Sequence, residues 1–333
     1  MRTSKIMVLA AAAVSLFRAS AWAQFDGTTI YGDDDRRDLY QVKNPQIRKL
    51  ADSTVALFEG YKVTLDPAKR EAQLATMTFG QEMGLCKEEP FFDEPTGAFC
   101  SGSLVGPDLI MTAGHCIADQ ASCKTTKFIF DFAVKSQGQY PKSVPAGEVY
   151  GCAELLGREQ VGDGADWALV RLDRKVTGRK PLALNRSGKI ADGAPLVVIG
   201  HPSGLPTKVA GGAVVRDASR NGYFVANTDT FGGNSGSAVF NAQTGLVEGI
   251  LVRGEQDFEA RGQCRVSKRC PADGCRGEDV TKISAVTGLI PPLRLGRLHR
   301  SELERSRVAG PSATLSELLK IAGVEAVQTP SVQ

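Results

Sequence analysis

Residues 109–116 read Leu-Ile-Met-Thr-Ala-Gly-His-Cys, and residues 232–240 read Gly-Gly-Asn-Ser-Gly-Ser-Ala-Val-Phe. In each stretch a short apolar run, typical of a buried strand, adjoins a glycine turn that carries one reactive side chain. His115 follows the first run, and Ser235 precedes the second. These stretches predict short strands whose ends carry chemical groups.

The same pattern continues on both sides, because short apolar runs broken by Gly, Pro, Asn and Asp follow one another closely. This spacing is typical of an all-β barrel or sandwich. Helical signals occur only near the end, where Thr314 and Glu317 form a capping box and Gly323 a stop, so we expect one short C-terminal helix. The runs are Ser53–Phe58, Gly102–Val105, Lys127–Phe132, Trp167–Leu172, Leu196–Ile199, Gly211–Val215, Tyr223–Ala226 and Leu246–Val252.

Composition sets the broad class of the protein. The chain has 333 residues, of which 42% are hydrophobic and 23% charged, enough to build a sizeable core. A formal net charge of +3 gives no single-sign field, so nucleic acid is not an expected partner.

The first residues predict an export signal. Arg2 and Lys5 precede an apolar run over 6–17, and Ala21-Trp22-Ala23 has small residues where signal peptidase reads, so we place the signal peptide at 1–23. The run is shorter than the roughly 20 residues that a spanning helix needs, and we expect no stable membrane anchor. Residues 24–50 are polar, and they are either a removable prosegment or an arm laid over the fold.

Eight cysteines in an exported chain favour disulfides formed in an oxidising compartment, and the even count allows four bridges. The rival hypothesis is a zinc site. The last three cysteines, Cys264, Cys270 and Cys275, lack a paired CxxC knuckle and a nearby histidine, so we expect no metal.

Ser235 and His115 are the predicted nucleophile and general base. A serine hydroxyl is a poor nucleophile until an imidazole takes its proton. The chain has three histidines. His201 lies in a turn after a strand, where a structural role is expected, and His299 lies in a basic stretch, where a solvated role is expected.

The third member of the site is predicted to be Asp166, in Gly-Ala-Asp-Trp-Ala-Leu-Val over 164–170. An acid at the start of an apolar strand is buried and still able to orient a histidine. Asp163 and Asp131 are the alternatives, the first in a glycine-flanked loop and the second within an aromatic strand.

The glycines around Ser235 favour an oxyanion hole. A tight turn there aims successive N–H groups at one point, and we expect the donors to be the backbone N–H groups of Gly233 and Ser235. Taken alone, the same residues are equally compatible with a flexible hairpin turn.

These motifs resemble those of the chymotrypsin-like serine proteases: Thr-Ala-Gly-His-Cys at 112–116, Asp-x-Ala-Leu at 166–169 and Gly-Asn-Ser-Gly-Ser at 233–237, in the order His, Asp, Ser. The resemblance covers roughly 53–289. It implies two six-stranded antiparallel β-barrels, at 51–176 and 177–290, with the active site between them. A tail with a short helix follows at 291–333.

Within the family, the chain is most similar to bacterial secreted members related to staphylococcal glutamyl endopeptidase, which share Gly-Gly-Asn-Ser-Gly-Ser and a segment like Asp34-Asp35-Arg36. Two departures matter. Asn234 stands where trypsin-type members carry the acid that pairs with a new N-terminus, and residues 249–254 lack the histidine of glutamyl-specific members.

Asp229, six residues before Ser235, matches the acid that binds Lys or Arg side chains in trypsin-like members.

The resemblance further implies a secreted or periplasmic bacterial serine endopeptidase, acting on protein or peptide substrates as a monomer without a cofactor. It pairs Cys100 with Cys116 in a bridge beside the histidine turn, and Cys123 with Cys152 is a weaker suggestion. The alternative function is a catalytically inactive relative that binds a partner through the same cleft.

Overall fold

The structure is a computed structural model that describes residues 30–293. The predicted signal peptide, the helix predicted between Thr314 and Gly323, and His299 lie outside the described residues.

Strands are the main secondary structure of the described chain, and none of its helices is long and apolar enough to cross a bilayer. The strands are β1 Ile30–Tyr31, β2 Arg36–Asp38, β3 Thr54–Glu59, β4 Val63–Asp66, β5 Glu71–Leu74, β6 Met77–Thr78, β7 Pro95–Thr96, β8 Cys100–Leu104, β9 Leu109–Thr112, β10 Thr126–Ile129, β11 Ser143–Pro145, β12 Val149–Gln160, β13 Asp166–Leu172, β14 Pro195–Gly200, β15 Lys208–Asp217, β16 Tyr223–Ala226, β17 Ala238–Asn241, β18 Val247–Arg253, β19 Phe258–Arg261, β20 Cys264–Ser267, β21 Arg269–Cys270 and β22 Glu278–Lys282. The α-helices are α1 Pro45–Ala51, α2 Phe79–Met83, α3 Gln120–Thr125 and α4 Ser284–Thr287.

Six strands close the first barrel in the order β3, β8, β9, β13, β12, β10, and every neighbouring pair is antiparallel. Alternating residues of these strands point inward and exclude water, which is the main stabilising contribution. Buried residues of this barrel include Val55, Leu57, Leu104, Ile110, Met111, Phe128 and Val170.

The second barrel follows the order β14, β17, β18, β22, β16, β15, and the pairing of β14 with β15 closes it. All of its pairs are antiparallel. The prediction of two six-stranded antiparallel barrels is therefore confirmed. Its interior contains Leu196, Val198, Ala213, Val215, Phe224, Val239, Leu251 and Val280.

The N-terminal segment is hydrogen-bonded into the second barrel. β2 adds to the edge of β15, where Val209 pairs with Arg37, and β1 pairs with β21 in parallel. The described part of residues 24–50 therefore packs on the second barrel, and the choice between an arm and a prosegment stays a prediction.

A buried cation joins this arm to the second barrel. The Nζ atom of Lys208 contacts the carboxylates of both Asp38 and Glu94, and all three side chains are almost fully buried. Burial raises the pKa of Glu94 to about 7, although the charge of Lys208 acts to lower it. Lys208 therefore stabilises two carboxylates that water does not reach.

We expect Lys208→Met to lower the free energy of unfolding by about 3–5 kcal/mol at pH 8, because it leaves two buried acids without a cation. Urea denaturation would measure the loss. The deficit should shrink at pH 5, where Glu94 accepts a proton more readily. Lys135→Met is the matched control, since the Lys135–Asp131 pair is exposed and its loss should cost less than about 1 kcal/mol. Equal losses in both variants would contradict the role of Lys208.

Candidate active site

The His115 ring and the Asp166 carboxylate are hydrogen-bonded. Antiparallel register pairs Ala168 of β13 with Thr112 of β9, so the start of β13 lies beside the turn after β9. There His115 Nδ1 is 2.8 Å from Asp166 Oδ2. Asp166 is 2% exposed, whereas the His115 side chain is 31% exposed. A buried acid thus orients an accessible imidazole.

Backbone N–H groups fix the other oxygen of the Asp166 carboxylate. Gly114 N–H and His115 N–H donate to Oδ1 over 2.6 and 3.1 Å. The close approach requires glycine, since a Cβ on Gly114 would lie 2.2 Å from the Glu159 carbonyl oxygen and 2.9 Å from Oδ1. The carboxylate is therefore immobilised from both sides.

The second barrel holds the backbone of Asp166. Thr281, on β22, accepts from Asp166 N–H and donates to Asp166 C=O through Oγ1, both over 3.0 Å. Sequence reasoning missed Thr281, because nothing local marks a threonine 115 residues away from its partner.

Ser235 lies on the segment that packs against the histidine turn. Its carbonyl accepts from Ser101 N–H over 2.8 Å, and Cys116 Sγ is 3.7 Å from the same oxygen. Gly236 has φ +90°, and a Cβ there would meet Ser101 O at 2.0 Å and Thr112 Oγ1 at 2.3 Å. Glycine is thus required where the serine turn touches the first barrel. No hydrogen bond joins Ser235 Oγ to His115 within residues 30–293; such bonds are often long before substrate binds.

Two N–H groups at the serine turn are available to a ligand. In the described chain, neither Gly233 N–H nor Ser235 N–H donates to a protein acceptor, although their neighbours Asn234, Gly236 and Ser237 all do. Gly233 has φ +86°, a conformation that favours glycine. These are the two donors that the sequence predicts for an oxyanion.

All eight cysteines form disulfides. The bridge between Cys100 and Cys116 is the one that the family resemblance implies, and it ties β8 to the histidine turn. His115 lies beside both sulfurs, but oxidised sulfur atoms are not thiolates and this cluster is unsuited to a metal. The bridges are Cys86–Cys264, Cys100–Cys116, Cys123–Cys152 and Cys270–Cys275.

The alternative residues occupy other surroundings. His201 is 1% exposed and its Nδ1 is 2.9 Å from the Leu205 carbonyl oxygen; burial lowers its pKa to about 4, so it is neutral. Asp163 is exposed, and Asp131 pairs with Lys135 over 2.5 Å. None of these side chains is hydrogen-bonded to His115.

Asp229 is buried beneath the N-terminal arm. Its two oxygens accept from Tyr31 N–H and Asp35 N–H, each over 2.8 Å. Desolvation raises its pKa to about 7 despite these bonds. The described structure thus gives this carboxylate two partners within the chain, and its predicted role in binding a cationic substrate group stays a prediction.

Glu278 is a second buried acid under the same arm, and it accepts a hydrogen bond from the Tyr31 hydroxyl over 3.1 Å. Burial is the main cause that raises its pKa from 4.5 to about 8. Between those two values the folded chain retains a proton that the unfolded chain releases. Stability therefore falls as pH rises through this window, by up to about 1.4 kcal/mol per pH unit for one group.

We expect Glu278→Gln to flatten the decline of the melting temperature between pH 5 and 8.5, because the amide keeps an acceptor for Tyr31 without a titrating proton. Thermal unfolding across this range measures the slope. Glu82→Gln, at an exposed position of α2, is the matched control and should leave the slope unchanged. An unaltered slope in Glu278→Gln would contradict the assignment.

Two antiparallel barrels with a buried aspartate, an imidazole and a glycine-flanked serine at their junction are the arrangement found in chymotrypsin-like serine proteases. Residues 100–250 match the family model described as trypsin-like peptidase domain. Over this stretch the chain is similar to the chymotrypsin-like serine proteases.

Curated relatives match over a shorter stretch. Chymotrypsin-like elastase family member 3B of Homo sapiens is 34% identical over 84 residues, which is 24% of this chain and 31% of that protein. Proproteinase E of Bos taurus is also 34% identical over 84 residues, covering 24% of this chain and 33% of that protein. The chain therefore spans about a third of the length of these relatives.

The solved structures that match the chain are distant in sequence. The Vibrio cholerae VesB protease has a TM-score of 0.45 and 15% identity, covering 78% of this chain and 66% of that one. A Glu endopeptidase in complex with MPD has a TM-score of 0.43 and 18% identity, covering 73% of this chain and 94% of that one. Likenesses this distant say nothing of activity or substrate.

Proposed function

We propose that this protein is a secreted serine endopeptidase that hydrolyses peptide bonds through an acyl-enzyme. The observation that carries the proposal is the hydrogen bond between Asp166 and His115, beside a serine turn with two N–H groups that have no acceptor among residues 30–293. The match of residues 100–250 to the trypsin-like peptidase domain supports the same reaction.

In the proposed mechanism, Ser235 Oγ attacks the peptide carbonyl while His115 Nε2 takes the hydroxyl proton. Asp166 keeps the other ring nitrogen protonated and stabilises the imidazolium. The N–H groups of Gly233 and Ser235 stabilise the oxyanion, and His115 then gives its proton to the leaving amine. Water repeats these steps on the acyl-enzyme and releases the second product.

Four disulfides support export to an oxidising compartment. With a signal peptide at 1–23, the proposed location is the bacterial periplasm or the culture medium. The proposed working form is a monomer, and its substrates are proteins or peptides.

The test is to incubate the purified mature protein with casein, with and without a serine-directed fluorophosphonate, and to locate any adduct by peptide mass mapping. Cleavage that stops when Ser235 carries the adduct would establish the reaction class. Folded, processed protein that neither cleaves nor reacts would favour the alternative of an inactive binding relative.

A panel of peptide amides that differ only at the cleaved residue tests the proposed preference for Lys or Arg through Asp229. A preference for basic residues that disappears in Asp229→Asn would support it. Equal cleavage of basic and neutral substrates would leave Asp229 with its role in holding the arm.

A further inference from the structure

A turn of the second barrel, which contains Ser203, is hydrogen-bonded to the peptide between Gly232 and Gly233. Gly232 C=O accepts from Ser203 N–H over 2.5 Å. No described peptide bond is cis, and in a trans peptide the C=O and N–H groups point in opposite directions. The bond to Ser203 therefore directs Gly233 N–H away from the turn, to the side where the described residues offer it no acceptor.

Ser203, which donates this hydrogen bond, has an unusual backbone conformation. Its φ is +48° and ψ 26°, in the left-handed region that residues other than glycine seldom adopt. The residue is 7% exposed, between Pro202 and Gly204. Surrounding contacts must impose this conformation, because serine does not favour it by itself.

A segment packed across this turn supplies those contacts. The hydroxyl of Thr96, on β7, donates to Ser203 C=O, and Gly97 N–H donates to Gly204 C=O over 3.1 Å. Thr96 is 5% exposed, so water does not replace its hydroxyl when it is lost. Thr96 thus holds Ser203, and Ser203 holds Gly232.

The turn also packs directly under Gly233. A Cβ on Gly233 would lie 2.8 Å from Gly204 N and 2.9 Å from His201 O. The turn is further anchored by His201 N–H, which donates to Ser101 Oγ over 2.9 Å, while that hydroxyl donates to Gly233 C=O over 2.8 Å. Rotation of the 232–233 peptide would break the hydrogen bond from Ser203 N–H to Gly232 C=O.

We propose that Ser203 is a positioning residue for the oxyanion hole, and that Thr96 locks it in the left-handed conformation that turns Gly233 N–H toward the oxyanion. This rests on the proposed function. Ser203 and Thr96 touch no reacting atom; they act through one peptide plane. The side chain of Ser203 is not required, since its N–H group does the positioning.

The experiment compares Thr96→Val, which removes the hydroxyl at nearly constant volume, with Thr96→Ser, which keeps it. We expect Thr96→Val to lower kcat for a peptide amide by about 10- to 100-fold, less than the 10²–10³-fold loss from deleting an oxyanion donor, with KM within about threefold. Thr96→Ser should recover most of this loss.

Inhibitor affinities separate positioning from general damage. A peptidyl aldehyde, which forms an oxyanion on Ser235, should bind Thr96→Val more weakly by a factor similar to the loss in kcat, while the cleaved product peptide binds unchanged. The pH at which kcat/KM rises should not move, since His115 and Asp166 are untouched.

Each outcome decides between the proposals. Equal kcat in Thr96→Val and the wild type, or equal losses in Thr96→Val and Thr96→Ser, would overturn the positioning role while leaving the protease assignment intact. A wild-type protein that neither cleaves peptides nor reacts with a fluorophosphonate would overturn both.

Discussion

Replacing Ser235 with alanine is expected to lower the turnover of a peptide amide by roughly 10⁶-fold. The hydroxyl oxygen is the proposed atom that bonds to the substrate, and alanine has no nucleophilic atom in its place. Ser237 follows two residues later, but it is fully buried and its Oγ lies 3.2 Å from Asn234 Oδ1. The remaining activity should come from the oxyanion donors and substrate binding alone.

This loss should occur without a change in fold. Ser235 is half-buried and its Oγ makes no hydrogen bond within residues 30–293, so its removal should barely change the melting temperature. Ser187→Ala, at an exposed position far along the chain from the serine turn, is the matched control and should keep full activity. A folded Ser235→Ala protein within about 100-fold of the wild type would identify another residue as the nucleophile.

Sequence reasoning predicts features of the site that are local in the chain. The glycine turns around His115 and Ser235 can be recognised from the local sequence, because each places a reactive residue next to an apolar strand. The acid was harder to identify, since three aspartates were compatible with the role. Of these, only Asp166 is hydrogen-bonded to His115 in the described chain.

The supporting contacts were not predictable, because they join segments far apart in sequence. Thr281 and Thr96 are ordinary threonines until the barrels close and place them against Asp166 and Ser203. The hydrogen-bond partners of Asp229 were not predictable either. Its spacing from Ser235 is the same whether the N-terminal arm or a substrate binds its carboxylate. Spacing in the sequence shows which residues are neighbours along the chain. Which group hydrogen-bonds to a carboxylate depends on the tertiary structure.

Asp166→Asn should lower kcat by about 10⁴-fold at neutral pH while preserving the fold. The amide oxygen can still accept from the N–H groups of Gly114 and His115, as Asp166 Oδ1 does now. The amide nitrogen then takes the place of Oδ2, 2.8 Å from His115 Nδ1. Because that nitrogen is a donor, Nδ1 must become the acceptor and the ring proton must move to Nε2. Nε2 is then unable to take the proton of Ser235.

Asp163→Asn is the matched control, because it makes the same chemical change three residues away at an exposed position. It should keep activity within about twofold and the same melting temperature. Measuring kcat and KM for one peptide amide in both variants isolates the effect of the His115 tautomer, since substrate contacts are unchanged and KM should stay near the wild-type value. A large loss in Asp163→Asn with little loss in Asp166→Asn would transfer the orienting role to Asp163. Small losses in both would mean that His115 holds its productive tautomer without a carboxylate.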